Sequence, residues 1–372
     1  MSAPALPFSA PLADYQREAE ELYEALRSGD TSARWRKFKW MRPRYRGKSV
    51  GEVEPQTLDP ADAQIVVAQE YAFWKWDDLA KFTEAVARDG PIARFELAVD
   101  AVVDGKLARL ESMLAEHPEL AHARSTRRHH ATVLHYTAAN GVEAVRQKTP
   151  PNAVAIARVL LEAGADPDAV ADMYDHKCTT MGMLVSSAHL AGAGLQIALA
   201  ELLLDYGASP HGKGTAWQSP AMTALAFGYS DTALALAKRG AAPDTLAAAA
   251  GLGLVDEARR LLPVADGGER HVAIALAAQH GHREIVQMLL DAGEDPNRYN
   301  PEGWHSHSTP LHQAIASDHP DVVQLLVERG ARTDIKDTVY DGDALGWAEY
   351  CQRPAIADWL RSTAGPSDES AR

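Results

Sequence analysis

Two short blocks recur along the chain at a fixed offset. In the clearest copy, Thr309-Pro310-Leu311-His312-Gln313-Ala314 is followed by Leu325-Leu326-Val327-Glu328-Arg329-Gly330-Ala331. A hydroxyl residue before proline marks a helix start: the hydroxyl satisfies a free N–H and proline suits the first turn. The leucine block reads as the buried face of a second helix. Gly-Ala ends that helix, because glycine tolerates the left-handed cap. The same order recurs, degraded, from Thr132-Val133-Leu134-His135 to Gly141 and Val159-Leu160-Leu161. It recurs from Thr179-Thr180-Met181-Gly182 to Leu202-Leu203-Leu204, and from Ser219-Pro220-Ala221-Met222 to Gly228 and Ala235-Leu236-Ala237. Asp244 leads to Gly253 and Arg260-Leu261-Leu262. Val272 leads to Gly281 and Met288-Leu289-Leu290. Asp343-Ala344-Leu345-Gly346 leads to Trp359-Leu360-Arg361. Upstream, Gly105 with Leu107, Leu110, Met113 and Leu114 reads as an opening unit. A unit this small cannot bury its apolar face alone, so the pattern demands a stack.

These blocks resemble the ankyrin repeat, a unit of about 33 residues built from two antiparallel helices and a turn. The resemblance implies an all-α solenoid of about eight helix-pair units. It spans residues 96–361, with a helical amino-terminal domain over 12–95 and unstructured ends at 1–11 and 362–372. Both ends lack an apolar period that would anchor them, so their removal is expected to leave the fold intact. The units depart from the pattern at an insertion near Val142–Asn152, at Ala191–Gly194, in the long turn Arg298–Ser308, and at Asp318, where glycine is expected. Residues 62–79, with Trp74 and Trp76, more loosely resemble a helical leader ahead of some bacterial ankyrin arrays.

The 372 residues contain only Cys178 and Cys351, so no disulfide framework is implied and a cytoplasmic setting is expected. A formal net charge of −14 argues against nonspecific nucleic-acid binding. Residues 34–48 run against that balance, with eight basic residues and no acidic one. They read either as a dock for an anionic surface or as a helix turning its cations onto Glu18-Ala19-Glu20-Glu21, with Trp35, Phe38 and Trp40 packed inward. Cys178–Ala200 carries no charged residue and is long enough to span a bilayer, but its polar residues, its glycines and the repeat register favour a buried unit.

Motifs that carry chemistry are missing. The chain has no phosphate-binding loop, nucleophile elbow, H-E-x-x-H or paired C-x-x-C, and no catalytic residue, metal ligand or cofactor is assigned. His129, His130, His176 with Cys178, and His305 with His307 lie near turns. If they converged, a His/Cys/Asp site for a metal-dependent enzyme or small-molecule binder would follow. His135 and His312 hold the signature position, where the ankyrin resemblance implies a structural hydrogen bond.

The resemblance points instead to a non-catalytic scaffold that binds a protein through its concave face and turn tips. Aromatic side chains are enriched at such interfaces. The candidate contact residues are Tyr174, His176, Trp217, Tyr299, Trp304, His305, His307 and Tyr340, expected to line one edge. The same aromatics could instead brace their own turns. Tyr136, Met183, Phe227 and Trp347 extend either reading.

Overall fold

The computed structural model describes residues 6–40, 59–143, 146–174, 176–213, 219–241 and 243–363. It divides into two compact units, Met1–Trp217 and Gln218–Arg372. The first opens with four helices: α1 (Leu12–Arg27), α2 (Thr31–Trp40), α3 (Pro60–Glu70) and α4 (Trp76–Val86). Their core gathers Tyr15, Leu22, Leu26, Val66, Val67, Tyr71, Leu79 and Phe82.

The repeat pattern then takes over. Helices α5 (Pro91–Val103) and α6 (Leu107–Glu116) form the opening pair. The 95/96 boundary expected from the sequence falls inside α5, so this pair begins earlier. In the Thr132 unit, the inner element Val133–Ala138 winds as a short 3₁₀ helix, and α7 (Ala153–Glu162) is its outer partner. A hairpin of β1 (Val170–Met173) and β2 (His176–Thr179) follows, antiparallel with Val170 opposite Thr179. Helices α8 (Thr180–Leu184), α9 (Ala188–Gly192) and α10 (Gln196–Asp205) complete this unit. The uncharged stretch Cys178–Ala200 is thus broken into short elements, and among the described residues no helix is long and apolar enough to cross a membrane.

The second unit is a regular succession of pairs. They are α11 (Pro220–Ala226) with α12 (Ser230–Lys238), and α13 (Leu246–Gly251) with α14 (Val255–Leu261). Next come α15 (Gly267–Gln279) with α16 (Arg283–Asp291), and α17 (Pro310–Ala316) with α18 (Pro320–Glu328). Last is α19 (Ala344–Tyr350) with α20 (Pro354–Thr363). One continuous core runs through the last four pairs, from Leu246 through Ile274, Leu289, Leu311 and Leu326 to Leu360. The caps follow the chemistry expected of them. Ser219 Oγ accepts the Met222 N–H at 3.3 Å, and Asp343 Oδ1 accepts the Gly346 N–H at 2.8 Å. Thr309 and His312 form a reciprocal cap, with the Thr309 N–H donating to His312 Nδ1 at 3.2 Å. Two starts shift from their expected places. Thr245, not Asp244, caps α13, and Asp266 caps α15 five residues before its apolar face at His271 begins.

The turn between paired helices needs a left-handed residue. Gly281 supplies it with φ +75° in the α15–α16 pair, and Asp318 supplies it with φ +62° where the sequence lacks the glycine. Asp is among the few residues that adopt this conformation without severe cost. Gly281 has a second reason. A Cβ there would come within 2.5 Å of His319 Nδ1, from the next pair.

That contact belongs to a ladder. His282 Nε2 donates to the Gly251 carbonyl at 3.1 Å, and His319 Nε2 donates to the Gln279 carbonyl at 3.1 Å. Arg353 Nη2 donates to the Ala316 carbonyl at 2.8 Å. Each acceptor is the last residue of the preceding inner helix, whose final carbonyls have no intrahelical partner. His280 adds a bond from Nε2 to the Leu225 carbonyl at 2.9 Å.

Three sequence expectations are corrected. Residues 1–11 do not lie outside the fold where they are described, because Phe8 is only 3% exposed and Ala10 is also buried. Removing them therefore strips part of the core. The expected tail from 362 starts inside α20, which runs to Thr363; residues 364–372 lie outside the described ones. Trp35 is 55% exposed rather than packed inward. The cations of α2 do turn onto acidic helices. Arg36 pairs with Glu18 at 2.9 Å and with Glu70 at 2.7 Å, and buried Lys37 reaches Asp62 at 2.9 Å. The side chains of Phe38 and Trp40, and all of 41–48, lie outside the described residues.

Leu203 and Leu326 are fully buried. Truncating either to Ala is expected to cost about 2–5 kcal/mol in urea unfolding; a loss under about 0.5 kcal/mol at both would contradict this packing. The ladder gives a pH dependence. Burial holds His280 down at about 4, against the opposing pull of its bond to Leu225. A depressed imidazole stabilises the fold above its unfolded value of 6.5, and that contribution is lost as pH falls from 6.5 towards 4. His280→Asn should therefore flatten the fall in thermal midpoint across that window. An unchanged slope would mean that His280 is not titrating there.

Candidate functional site

The turn before α17 and the loop before α19 converge around one carboxylate. Asp337 is buried, and its Oδ1 accepts the N–H groups of Val339 at 2.9 Å and Tyr340 at 2.7 Å. Its Oδ2 accepts the Gly342 N–H at 2.9 Å and the indole N–H of Trp347 at 2.9 Å. Burial works against its ionisation. The donors, led by Trp347, outweigh burial and hold the carboxyl down at about 2. Asp337 therefore stays charged and locks the 337–342 loop against α19.

The aromatics stand on this lock. The His307 ring centre lies 6.0 Å from that of Trp347 and 6.1 Å from that of Tyr340. The His307 carbonyl accepts the Thr338 N–H at 2.9 Å, which ties the two loops together. Tyr299 donates its hydroxyl to the Lys336 carbonyl at 2.7 Å. His305, with φ +60°, donates Nε2 to the Ala226 carbonyl at 2.8 Å. That bond carries the long turn back to the end of α11, beside exposed Phe227. Tyr340 is the outermost member, at 74% exposed.

Sequence reasoning is met unevenly here. Tyr299, His305, His307 and Tyr340 are brought together, with Trp347 beside them. Trp304 is only 6% exposed, so it braces its turn and offers no face to a partner. Trp217 lies outside the described residues. Tyr174 and His176 belong to the first unit, at the tip of the β1–β2 hairpin, and both are exposed. Tyr174 donates its hydroxyl to Asn140 Oδ1 at 2.8 Å, and its ring lies over Gly141, where a Cβ would meet the phenol oxygen at 2.8 Å. Asp337 was missed. Its signal, an Asp two residues before a free main-chain N–H in a polar loop, is common to many surface turns.

His129 and His130 each have their own partners. The Ala131 N–H donates to His129 Nδ1 at 3.1 Å, so the neutral ring carries its proton on Nε2, which faces Glu143 at 3.2 Å. His130 Nδ1 lies 2.9 Å from Asp172. Among the described residues, no three His, Cys, Asp or Glu side chains are grouped to hold a metal ion; Asp175 lies outside them.

The family model of ankyrin repeats matches residues 246–337 and 274–367, in three copies. Residues 246–367 are ankyrin repeats. An ankyrin repeat-containing protein of Schizosaccharomyces pombe is 38% identical over 64 residues, 17% of this chain and 29% of that protein. A probable E3 ubiquitin-protein ligase of Oryza sativa subsp. japonica is 34% identical over 134 residues, 33% of this chain and 26% of the relative. Protein phosphatase 1 regulatory subunit 27 of Homo sapiens is 36% identical over 73 residues, 18% of this chain and 44% of the relative. The chain thus spans less than half the length of each. The aromatic cluster lies between and beside the last two ankyrin pairs.

Asp337→Ala removes the acceptor of four N–H groups. It should lower the stability of the second unit by about 1–3 kcal/mol and shift Trp347 emission, leaving the helical signal otherwise intact. Unchanged emission and stability would show that the loop does not depend on the carboxylate.

Proposed function

We propose that the chain is a non-catalytic scaffold that binds a protein partner in the cytoplasm. The surface formed by Tyr299, His307, Tyr340 and Trp347 is its principal contact. The observation that carries this reading is the exposure of Tyr340 on a loop locked from beneath by Asp337. An aromatic carried on a backbone fixed before binding loses less freedom on docking than one on a mobile loop. His305, whose ring centre lies 6.1 Å from that of His307, reaches the end of α11 next to exposed Phe227, and the two extend the contact. The relatives support binding as the role: one is by name a phosphatase regulatory subunit, and others are ankyrin repeat and SOCS box proteins. Tyr174 and His176 offer a second contact on the first unit. A single formally acidic chain of −14 disfavours nucleic acid as the partner.

Tyr340→Ala is expected to leave the thermal midpoint unchanged and weaken partner binding by about 2 kcal/mol, roughly 30-fold. Trp304→Ala should lower both. The partner is captured on the immobilised full chain, and its affinity is then measured by calorimetry against each variant. A partner that binds Tyr340→Ala as tightly as the parent would place the contact elsewhere.

A further inference from the structure

The loop that carries Tyr340 has a charge balance of its own. Between residues 332 and 343 stand four carboxylates, Asp334, Asp337, Asp341 and Asp343, and two cations, Arg332 and Lys336. Arg332 donates to Asp334 at 2.7 Å, and Lys336 donates to Asp341 at 2.7 Å. Both cations are thus engaged by neighbours. Among the described residues, Asp337 and Asp343 form no ion pair with an arginine or lysine. The long turn before α17 adds Arg298 and Glu302, which cancel. The surface around Tyr340 therefore keeps two carboxylates without a counter-charge.

The rings can use that charge. Asp337 accepts the Trp347 indole N–H at 2.9 Å, so a full negative charge sits at the edge of the indole. An anion bonded there polarises the ring and strengthens the negative face, the side that attracts cations. Tyr340 stands exposed beside it, nearly perpendicular to the His307 ring at 84°. Burial, joined by the neighbouring His305, holds the His307 imidazole below its ordinary value, so at neutral pH that ring carries no charge to oppose a cation. Elsewhere the chain covers aromatic faces with its own cations. The Arg128 guanidinium carbon lies 5.1 Å from the ring centre of exposed Trp74, and that of Arg127 lies 3.3 Å from Phe8. Among the described residues, no arginine or lysine lies over Tyr340, Trp347 or Tyr299.

We infer that the partner protein docks an arginine side chain here, its guanidinium on the Tyr340 ring beside His307 and Trp347, with Asp337 and Asp343 supplying the opposite charge. The inference rests on the assignment of this surface as the principal contact. A planar, weakly hydrated guanidinium stacks on an aromatic ring, whereas an ammonium holds its water more tightly, which favours arginine over lysine. An aliphatic side chain would leave both carboxylates without a counter-charge, and an acidic one would be repelled.

The probe is the capped peptide acetyl-Gly-Ser-Arg-Ser-Gly-amide, titrated into the full chain carrying isotope-labelled tryptophan. The Trp347 indole N–H resonance, assigned by its loss in Trp347→Phe, reports occupancy and should shift saturably. The same peptide with citrulline, a neutral isostere of arginine, or with norleucine should bind about fivefold or more weakly. Tyr340 is exposed, so its ring can be changed without threat to the fold. Tyr340→Phe, which keeps the aromatic face, should bind the arginine peptide within about twofold of the parent; Tyr340→Leu should bind it about threefold or more weakly. Citrulline or norleucine binding as tightly as arginine, or no saturable shift with arginine, would overturn the inference. The captured partner separates this failure from that of the contact itself. A partner weakened by Tyr340→Ala alongside an unresponsive arginine peptide keeps the contact and overturns the arginine. A partner indifferent to Tyr340→Ala overturns both.

Discussion

The carbonyls at the end of an inner helix must be answered from outside that helix, and for α13, α15 and α17 the next pair answers them. His282, His319 and Arg353 each reach back to the preceding pair, to Gly251, Gln279 and Ala316. The pairs cap the starts of their own inner helices but share their apolar faces, and α13, α15 and α17 also share their final carbonyls, with their neighbours. The spacing of the turns follows from this need. Gly281 is bare so that the His319 ring can pass over it. The burial that lowers the proton affinity of His280 comes from the same neighbours, which makes the stack sensitive to acid.

The same economy positions the exposed aromatics. A loop long enough to carry Tyr340 away from the helices has to be held by something other than helix packing. Asp337 does this with four acceptor contacts, one of them to the indole of α19. A mobile loop loses backbone freedom when it binds; the backbone of this one is already fixed on folding. The long turn before α17 is held differently, by Trp304 buried within the protein and by His305 fastened to the end of α11.

The first unit solves its packing with charge rather than with regular repetition. Its inner element at Val133–Ala138 is a 3₁₀ helix, a β-hairpin stands between α7 and α8, and its centre holds two arginines against two glutamates. Buried ions contribute little net stability but punish any misplacement, because a lost partner leaves a bare charge in low dielectric. Phe8 closes that centre from a segment with no helical period of its own.

The repeat blocks were legible because their demands are local. A hydroxyl or carboxylate cap, a proline in the first turn, an apolar triplet and a left-handed turn residue all act within a few bonds of one another. These determined the helix pairs, their order and the all-α stack, and they carried the capping role of His312. Four of the candidate contact residues could be chosen the same way, as aromatics and histidines on turns. What tertiary structure decided was long-range. Trp304 and Tyr340 look alike in sequence, each an aromatic in a polar turn, yet one is buried and the other stands out. Asp337 grips the loop that carries Tyr340, whereas Trp304 is buried under the turn before α17. Phe8 has no periodic neighbours to announce it; its burial depends on Arg127 and Arg146, more than a hundred residues away, being held in place by Glu96 and Glu143. Caps and periods are properties of a few consecutive residues, whereas the partner of a ring or a carboxylate is settled only when distant segments meet.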